Sequence, residues 1–344
     1  CARIGIPAKQ VNFVRDYWTD VFEPMVDGYS RGVTPNPDVL CNRHIKFDRF
    51  LEYACDELGA DLVATGHYAR ADADADVDAD SGAGAGGPVT ILRAGVDHTK
   101  DQSYFLSGVS STALARVLFP LGTLRKEQVR RIARVAGLEE VADKKDSYGI
   151  CFVGKRDFGA FIHEYVPPTP GDFVDVDTGA VLGTHAGAAA YTIGQGARLA
   201  GRSEKWFVVD KNIDDGSVLV APGGHPSQFS ARALVAAQDF RWVAGAPPEE
   251  LTVAGGSGGG GAVAERSRRL RCQCRVRYRQ GLVWCNVWLE EGMLVAEFDE
   301  PQRAIAPGQV LALYYRDDVC LGGGEVARRV SESELHLLET EFST

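Results

Sequence analysis

The sequence predicts an α/β domain followed by two β domains, and three observations carry that prediction. Residues up to about 150 alternate helical stripes with short apolar strands. After Pro167-Pro168-Thr169-Pro170-Gly171 the helical periodicity stops and short strands separated by turns take over. A further set of strands from Phe229 onward has the close, even spacing of a compact barrel. The expected organisation is a doubly wound parallel-sheet domain over 1–160, a small central β domain over 161–225 and a C-terminal β-barrel over 229–330.

In the first domain, Phe47, Phe50, Leu51, Ala54 and Leu58 form an apolar stripe over 44–58, with Asp48, Glu52 and Asp56 facing away and Gly59 ending the helix. Leu62-Val63-Ala64-Thr65 reads as a short buried strand. Gly66-His67-Tyr68 follows at its carboxyl end, where open parallel sheets place their ligands. Val129, Ile132, Ala133 and Ala136 mark a second amphipathic helix capped by Gly137. The runs 71–88 and 253–265, with almost no large apolar side chain, read as flexible insertions that carry no chemistry. Central-domain strands are expected at 173–176, 181–182, 206–209 and 218–220, and barrel strands at 271–279, 283–289, 294–298, 310–315 and 319–320.

At 45% hydrophobic and 24% charged residues the composition is ordinary for a globular protein. No apolar run approaches the ~20 residues that span a bilayer, so no membrane partner is expected. The chain opens on Cys1 inside a continuing α/β pattern, which leads us to expect an upstream stretch. Eight cysteines without the dense even spacing of a secreted scaffold fit a reducing compartment, where a disulfide is transient and catalytic. A formal charge of −10 argues against indiscriminate nucleic-acid binding, so such a partner needs a local basic surface.

Two cysteines stand apart. Cys41 closes Thr34-Pro35-Asn36-Pro37-Asp38-Val39-Leu40-Cys41, and Cys151 lies in Ser147-Tyr148-Gly149-Ile150-Cys151-Phe152. Both segments surround a thiol with Pro, Gly, Asp and Asn, where a core cysteine would have apolar neighbours. Lys144, Lys145, Lys155 and Arg156 lie near Cys151 in sequence, and cationic neighbours favour the nucleophilic thiolate. Asn36-Pro37-Asp38 is a helix-start signature, and Asp38 is also placed to give and take a proton beside Cys41. Lys100-Asp101-Gln102 reads either as a helix start or as a contact to a phosphate or base, and His67 either as a ligand contact or as a structural histidine, with its position at a strand end favouring contact.

In the barrel, Arg271, Arg275, Arg277 and Arg279 share one strand face while Cys272, Cys274 and Val276 share the other. That alternation accounts for Cys272 and Cys274 as core residues, and no second close pair completes a zinc site. The arginine face, with Arg266, Arg268 and Arg269 upstream, is either a solvated surface or a phosphate contact, and Tyr278 either stacks on a base or caps the core. Cys55, Cys285 and Cys320 read as packing residues.

These segments, together with Ile45-Lys46-Phe47, Tyr191-Thr192-Ile193-Gly194-Gln195, Arg277-Tyr278-Arg279-Gln280 and Cys320-Leu321-Gly322-Gly323-Gly324, resemble the tRNA-specific 2-thiouridylases, in order from near Cys1 to Arg329. The resemblance implies a HUP-type (PP-loop pyrophosphatase-like) α/β domain, a central β domain and a C-terminal tRNA-binding barrel. It implies ATP-dependent sulfur transfer to position 2 of the wobble uridine of tRNA, with ATP and Mg2+ as cofactors and no structural metal. Its partners would be tRNAs of the Lys, Glu and Gln types and a persulfide sulfur donor or relay protein. Cys151 would carry the persulfide, whose terminal sulfur would reach C2 either directly or after release as hydrosulfide, Cys41 would resolve it through a transient disulfide, and Asp38 would shuttle the proton. Asn36, Pro37 and Asp38 would contact the target base, while His67, Lys100, Asp101, Gln102, Arg277, Tyr278 and Gln309 would contact tRNA. Gly66 would line the nucleotide site.

Two departures accompany the resemblance. The family's Ser-Gly-Gly-x-Asp-Ser phosphate loop is not found in this sequence, so the chain as given is expected to bind ATP poorly, the loop belonging upstream of Cys1. Gln195 is followed by Gly196-Ala197 before Arg198, where the family places a basic residue directly, which weakens one tRNA contact. The competing reading is a catalytically inactive tRNA-binding fragment. A tRNA methyltransferase finds no Gly-rich cofactor loop after a strand and has no need of two exposed thiols. The wording of 1–7 and 119–122 leans toward mitochondrial members, the alternative being a bacterial, cytoplasmic one.

Overall fold

A computed structural model describes residues 1–73, 89–146, 149–154, 156–236, 238–251, 268–316 and 318–341. Of the expected insertion 71–88, residues 74–88 lie outside the described residues, as does the whole of 253–265.

The α/β domain opens with a helical run that changes register twice: α1 (Val14–Tyr17), a π-helical turn (Trp18–Phe22) and α2 (Glu23–Ser30). Asn36-Pro37-Asp38 starts the next run, as its residue types dictate. Asn36 is extended at the cap, Pro37 occupies the first turn where its missing N–H costs nothing, and Asp38 faces the positive end of the helix. This run continues from α3 (Pro37–Leu40) through a π-helical stretch (Cys41–Arg49), α4 (Phe50–Glu52) and a second π-helical turn (Tyr53–Glu57). Of the expected stripe over 44–58, Phe47, Leu51 and Ala54 are buried, whereas Leu58 at its end is exposed.

Strand β1 (Val63–Ala64) is followed by the hairpin β2 (Ala69–Ala73) and β3 (Thr90–Ala94). Residues 71–73 are thus paired strand, although their Ala-Asp-Ala wording reads as insertion. Next come α5 (Ser103–Leu106), α6 (Ser111–Leu114) and β4 (Val117–Leu118), which pairs in parallel with β1 through Val63–Val117 and Ala64–Leu118. Helices α7 (Lys126–Val135), α8 (Glu139–Ala142) and α9 (Phe158–Ile162) complete the domain. Gly137 follows α7 in the left-handed region, and Leu138 N–H reaches back to Ala133 O at 2.8 Å.

The central domain is a sheet ordered β6-β5-β9-β8-β7, from β5 (Gly171–Asp175), β6 (Val181–His185), β7 (Gly196–Ala197), β8 (Trp206–Lys211) and β9 (Val218–Pro222), with one parallel pair, β5–β9. The C-terminal domain contains β10 (Phe229–Ala236), β11 (Arg241–Trp242), β12 (Leu270–Arg275), β13 (Val283–Glu290), β14 (Met293–Arg303), β15 (Val310–Tyr315) and β16 (Val319–Ser331), and ends in α10 (Glu332–Glu341). Six of these strands close into a barrel in the order β10-β14-β13-β12-β15-β16, with β16 pairing back onto β10. Cys272, Cys274 and Cys285 fill its core as their alternation predicts, Cys272 Sγ lying 3.7 Å from Cys285 Sγ.

Barrel and α/β domain share one sheet. Strand β3 pairs with β16 through Arg93–Val319 and Leu92–Cys320, and a common apolar core joins Leu92, Tyr104 and Leu106 to Val310, Tyr314 and Cys320. Burial of each large side chain here contributes about 1.5–3 kcal/mol, so the two units are held as one body around the cleft they enclose.

Candidate functional site

That cleft has a volume of about 930 Å³ and lies between the helix-start segment, the strand end at Gly66, the 100–102 turn and the barrel. The barrel wall is held close by direct backbone pairing. Thr34 N–H donates to Pro307 O at 2.8 Å, and Gln309 Nε2 donates to Thr34 O at 2.8 Å. Gly308 makes this approach possible: its φ is +87°, and a Cβ there would sit 2.7 Å from Thr34 N. Asn36-Pro37-Asp38 is thereby fixed against Gln309 in a single wall.

Of the residues singled out from sequence, Asn36, Pro37, Asp38, Gly66, Lys100, Gln102, Tyr278 and Gln309 all line this cleft. Asp38 and Cys41 lie one turn apart on one helical run, the i,i+3 spacing that places side chains on a common face. Burial raises the Asp38 carboxyl above the usual carboxylate range, against the pull of Lys46. Burial likewise raises the Cys41 thiol; Lys46 opposes it, and Cys151 and Asp38 add to it. Cys151 is exposed on the turn that Gly149 and Gly154 shape with positive φ, beside Ile150 of the cleft wall. The two thiols come from distant segments, yet each lies within electrostatic reach of the other, and both are free.

Three other sequence-selected residues are placed as supports. Asp101 is 2% exposed. Its Oδ1 accepts from Gly95 N–H and Ser103 N–H, and its Oδ2 accepts from Ser103 Oγ and, at 2.7 Å, from Arg275 NH1. Ser103 Oγ is in turn 3.0 Å from Tyr314 OH in the barrel. Arg277 donates to the backbone carbonyls of Ile193 and Ala304, joining central domain to barrel. His67 packs its ring at 5.6 Å from Phe47 and 6.0 Å from Phe119, with Nδ1 2.8 Å from Thr65 Oγ1. Position at a strand end favours a ligand contact for His67, and the aromatic packing fits the alternative reading of a structural histidine.

Burial and Lys46 hold the His67 imidazole down to about 4. With the folded value below the unfolded one of about 6.5, the unfolded chain takes up the proton first as pH falls. His67 is therefore expected to cost stability progressively between pH 6.5 and 4, by up to about 3 kcal/mol, with no further loss below. Denaturant midpoints of His67→Phe over this range should show a flatter acid limb than the parent.

Much of the arginine face is matched by carboxylates, and Arg279 lines the cleft. Strand β12 ends at Arg275, which is buried against Asp101, and Arg271 pairs with both oxygens of Asp299 at 2.5 and 2.6 Å. Arg269 pairs with Glu297 and lies 4.1 Å above the Trp288 ring. Near Cys151, Arg156 is turned to Glu164 and the Phe161 ring, and Lys155 lies outside the described residues. The local positive surface lies in the cleft, lined by Lys100, Lys126, Lys144, Lys145 and Arg279.

Sequence reasoning missed the residue that organises this surface. Asp146 Oδ2 accepts from Lys100 Nζ at 2.7 Å, its Oδ1 accepts from Arg130 NH2 at 3.0 Å, and Lys126 Nζ stands 3.7 Å away. Hydrogen bonds from Lys100 and Arg130 hold its carboxyl down to about 2. The signal was in the Lys144-Lys145-Asp146 wording, where the lysines draw attention and the carboxylate between them and Cys151 does not.

Fold and site define an α/β protein with a C-terminal barrel, carrying a pair of thiols beside a cationic cleft. Comparison with protein families matches 1–155 to the tRNA methyl transferase HUP domain, 159–222 to the tRNA methyl transferase PRC-barrel domain and 232–326 to the aminomethyltransferase beta-barrel domain. The chain is 41% identical to mitochondrial tRNA-specific 2-thiouridylase 1 of Gallus gallus, over 95% of this chain and 78% of the relative. It is 40% identical to the Homo sapiens protein of the same name, over 95% and 77%, and 41% identical to tRNA-specific 2-thiouridylase MnmA of Proteus mirabilis, over 96% and 83%. The chain belongs to the tRNA-specific 2-thiouridylase family.

Proposed function

We propose that the protein is a tRNA sulfurtransferase that replaces the C2 oxygen of a wobble uridine with sulfur in an ATP-dependent reaction. What supports this reading is that Asp38, one helical turn from Cys41, and Ile150, the neighbour of Cys151, both line the cationic cleft, with the charge of each thiol able to bear on the other. Relatives named 2-thiouridylases support the substrate, both mitochondrial and bacterial. A methyl transfer would give two converging thiols no role.

The cleft fits a polyanionic partner through its four lysines, and Gly66 leaves room at the strand end, since a Cβ there would meet only Leu121 at 3.8 Å. ATP, when bound, supplies the activation that turns the uracil C2 oxygen into a leaving group. Asn36 and Pro37 would seat the base, with Lys100, Gln102, Tyr278 and Gln309 meeting the RNA around it. Asp101 would hold Lys100 and Gln102 in place, and Arg277 would hold the barrel wall. Cys151 would accept sulfur from a persulfide donor and carry it as Cys151 Sγ–S–H. The Cys41 thiolate then attacks Cys151 Sγ; the Cys41–Cys151 disulfide forms as the terminal sulfur leaves as hydrosulfide, which adds at C2 and expels AMP. Asp38, its proton affinity raised by burial, exchanges the proton with Cys41.

In the protein extended by the upstream phosphate loop, Cys151→Ser is expected to abolish transfer of radiolabelled sulfur from a persulfide donor to tRNA and to leave no label on the protein, with tRNA binding by gel shift retained. Undiminished transfer by this variant overturns the relay. Binding with no transfer by the unsubstituted protein favours the inactive tRNA-binding reading.

A further inference from the structure

We infer that Tyr17 is a further member of the sulfur-transfer pocket, its phenol O–H donating a hydrogen bond to the sulfur anion formed there. The inference rests on the thiol relay proposed above. Tyr17 ends α1, and this helical run packs against the run that carries Asp38 and Cys41. On its other side the Tyr17 ring meets Phe152, the neighbour of Cys151, edge-on at 5.6 Å between centroids. The half-buried Tyr17 ring thus touches the Cys151 segment, while its helix packs against the Cys41 run. Its hydroxyl lies within electrostatic reach of Cys151, Cys41 and Asp38 together.

The chemistry follows from which state that hydroxyl holds. Burial, reinforced by those three acidic neighbours, pushes the Tyr17 phenol far above its ordinary range. It therefore remains a donor throughout and neither gives up nor takes up the proton that Asp38 exchanges. A fixed neutral donor suits the step in which negative charge moves from Cys41 to the departing hydrosulfide, because both anions lie in its neighbourhood. Lys46 is the cation that bears on Cys41 and Asp38. Tyr17 would supply a directional contact that a flexible ammonium does not.

The test is alkylation by iodoacetamide as a function of pH, followed for Cys41 and Cys151 separately by peptide mass spectrometry in the full chain. Tyr17→Phe keeps the ring against Phe152 and removes only the hydroxyl. A hydrogen bond to a charged group is worth enough to shift a thiol by about one pH unit. Tyr17→Phe should therefore slow alkylation of at least one of the two thiols about tenfold at neutral pH and move its midpoint upward, with the plateau rate at high pH unchanged. Profiles that coincide with the parent at both thiols overturn the inference. Should Tyr17→Phe fold poorly, fluorotyrosine at position 17 in the otherwise unchanged protein gives a second reading. Its fluorine resonance should move as the thiols titrate, and a resonance that stays fixed contradicts the proposal. Neither assay needs tRNA or ATP. Their failure would leave tRNA thiolation standing, and a failure of sulfur transfer would leave the thiol titrations interpretable.

Discussion

Arg275→Met is expected to destabilise the fold by about 3–5 kcal/mol, because it leaves the Asp101 carboxylate buried with its cationic partner gone. The lost bond is the 2.7 Å contact between the α/β domain and the barrel, so the damage should also reach the cleft. A shifted denaturation midpoint at unchanged slope measures the first effect. Adding Asp101→Leu to Arg275→Met removes the stranded charge and should recover much of the loss, the signature of a coupled buried pair. A loss below about 1 kcal/mol for Arg275→Met would mean that Ser103 and the Gly95 and Ser103 amides alone satisfy Asp101.

Cys41→Ser should have a still larger effect, on chemistry and not on stability. In a single turnover begun with sulfur already loaded on Cys151, transfer to tRNA should fall by a factor on the order of 10³ or more, since members of a catalytic unit fail together. The persulfide should then persist on Cys151, detectable by mass. Transfer at the parental rate would instead mean that the terminal sulfur attacks C2 directly and that Cys41 serves no chemical step.

Local signals carried much of this in the sequence. Asn36-Pro37-Asp38 starts a helix because cap, proline and first-turn carboxylate are all local choices, and the central-domain and barrel strands fall close to where alternation places them. Cys272, Cys274 and Cys285 are buried on strands as read from sequence, while Cys41 is part-buried on a helical run and Cys151 is exposed. What was not legible is contact between domains. Alternation places Arg275 on the face opposite Cys274 but cannot show that Asp101 covers that face. Gly322-Gly323-Gly324 reads as the end of a strand, yet β16 runs through it to Ser331. The glycines are there because a Cβ on Gly323 would lie 2.3 Å from Ser107 Oγ, and one on Gly324 would lie 2.8 Å from Val235 Cγ1. Tyr17 gave no signal either, since an aromatic side chain on a helix reads first as core.

The central claim is that Cys41 and Cys151 act on one sulfur atom. Peptide mapping after one turnover with loaded Cys151, tRNA and ATP, with no reductant present, tests it most directly. The account predicts a Cys41–Cys151 disulfide in amounts matching the thiolated tRNA formed. Full thiolation with both cysteines still open to alkylation would contradict it.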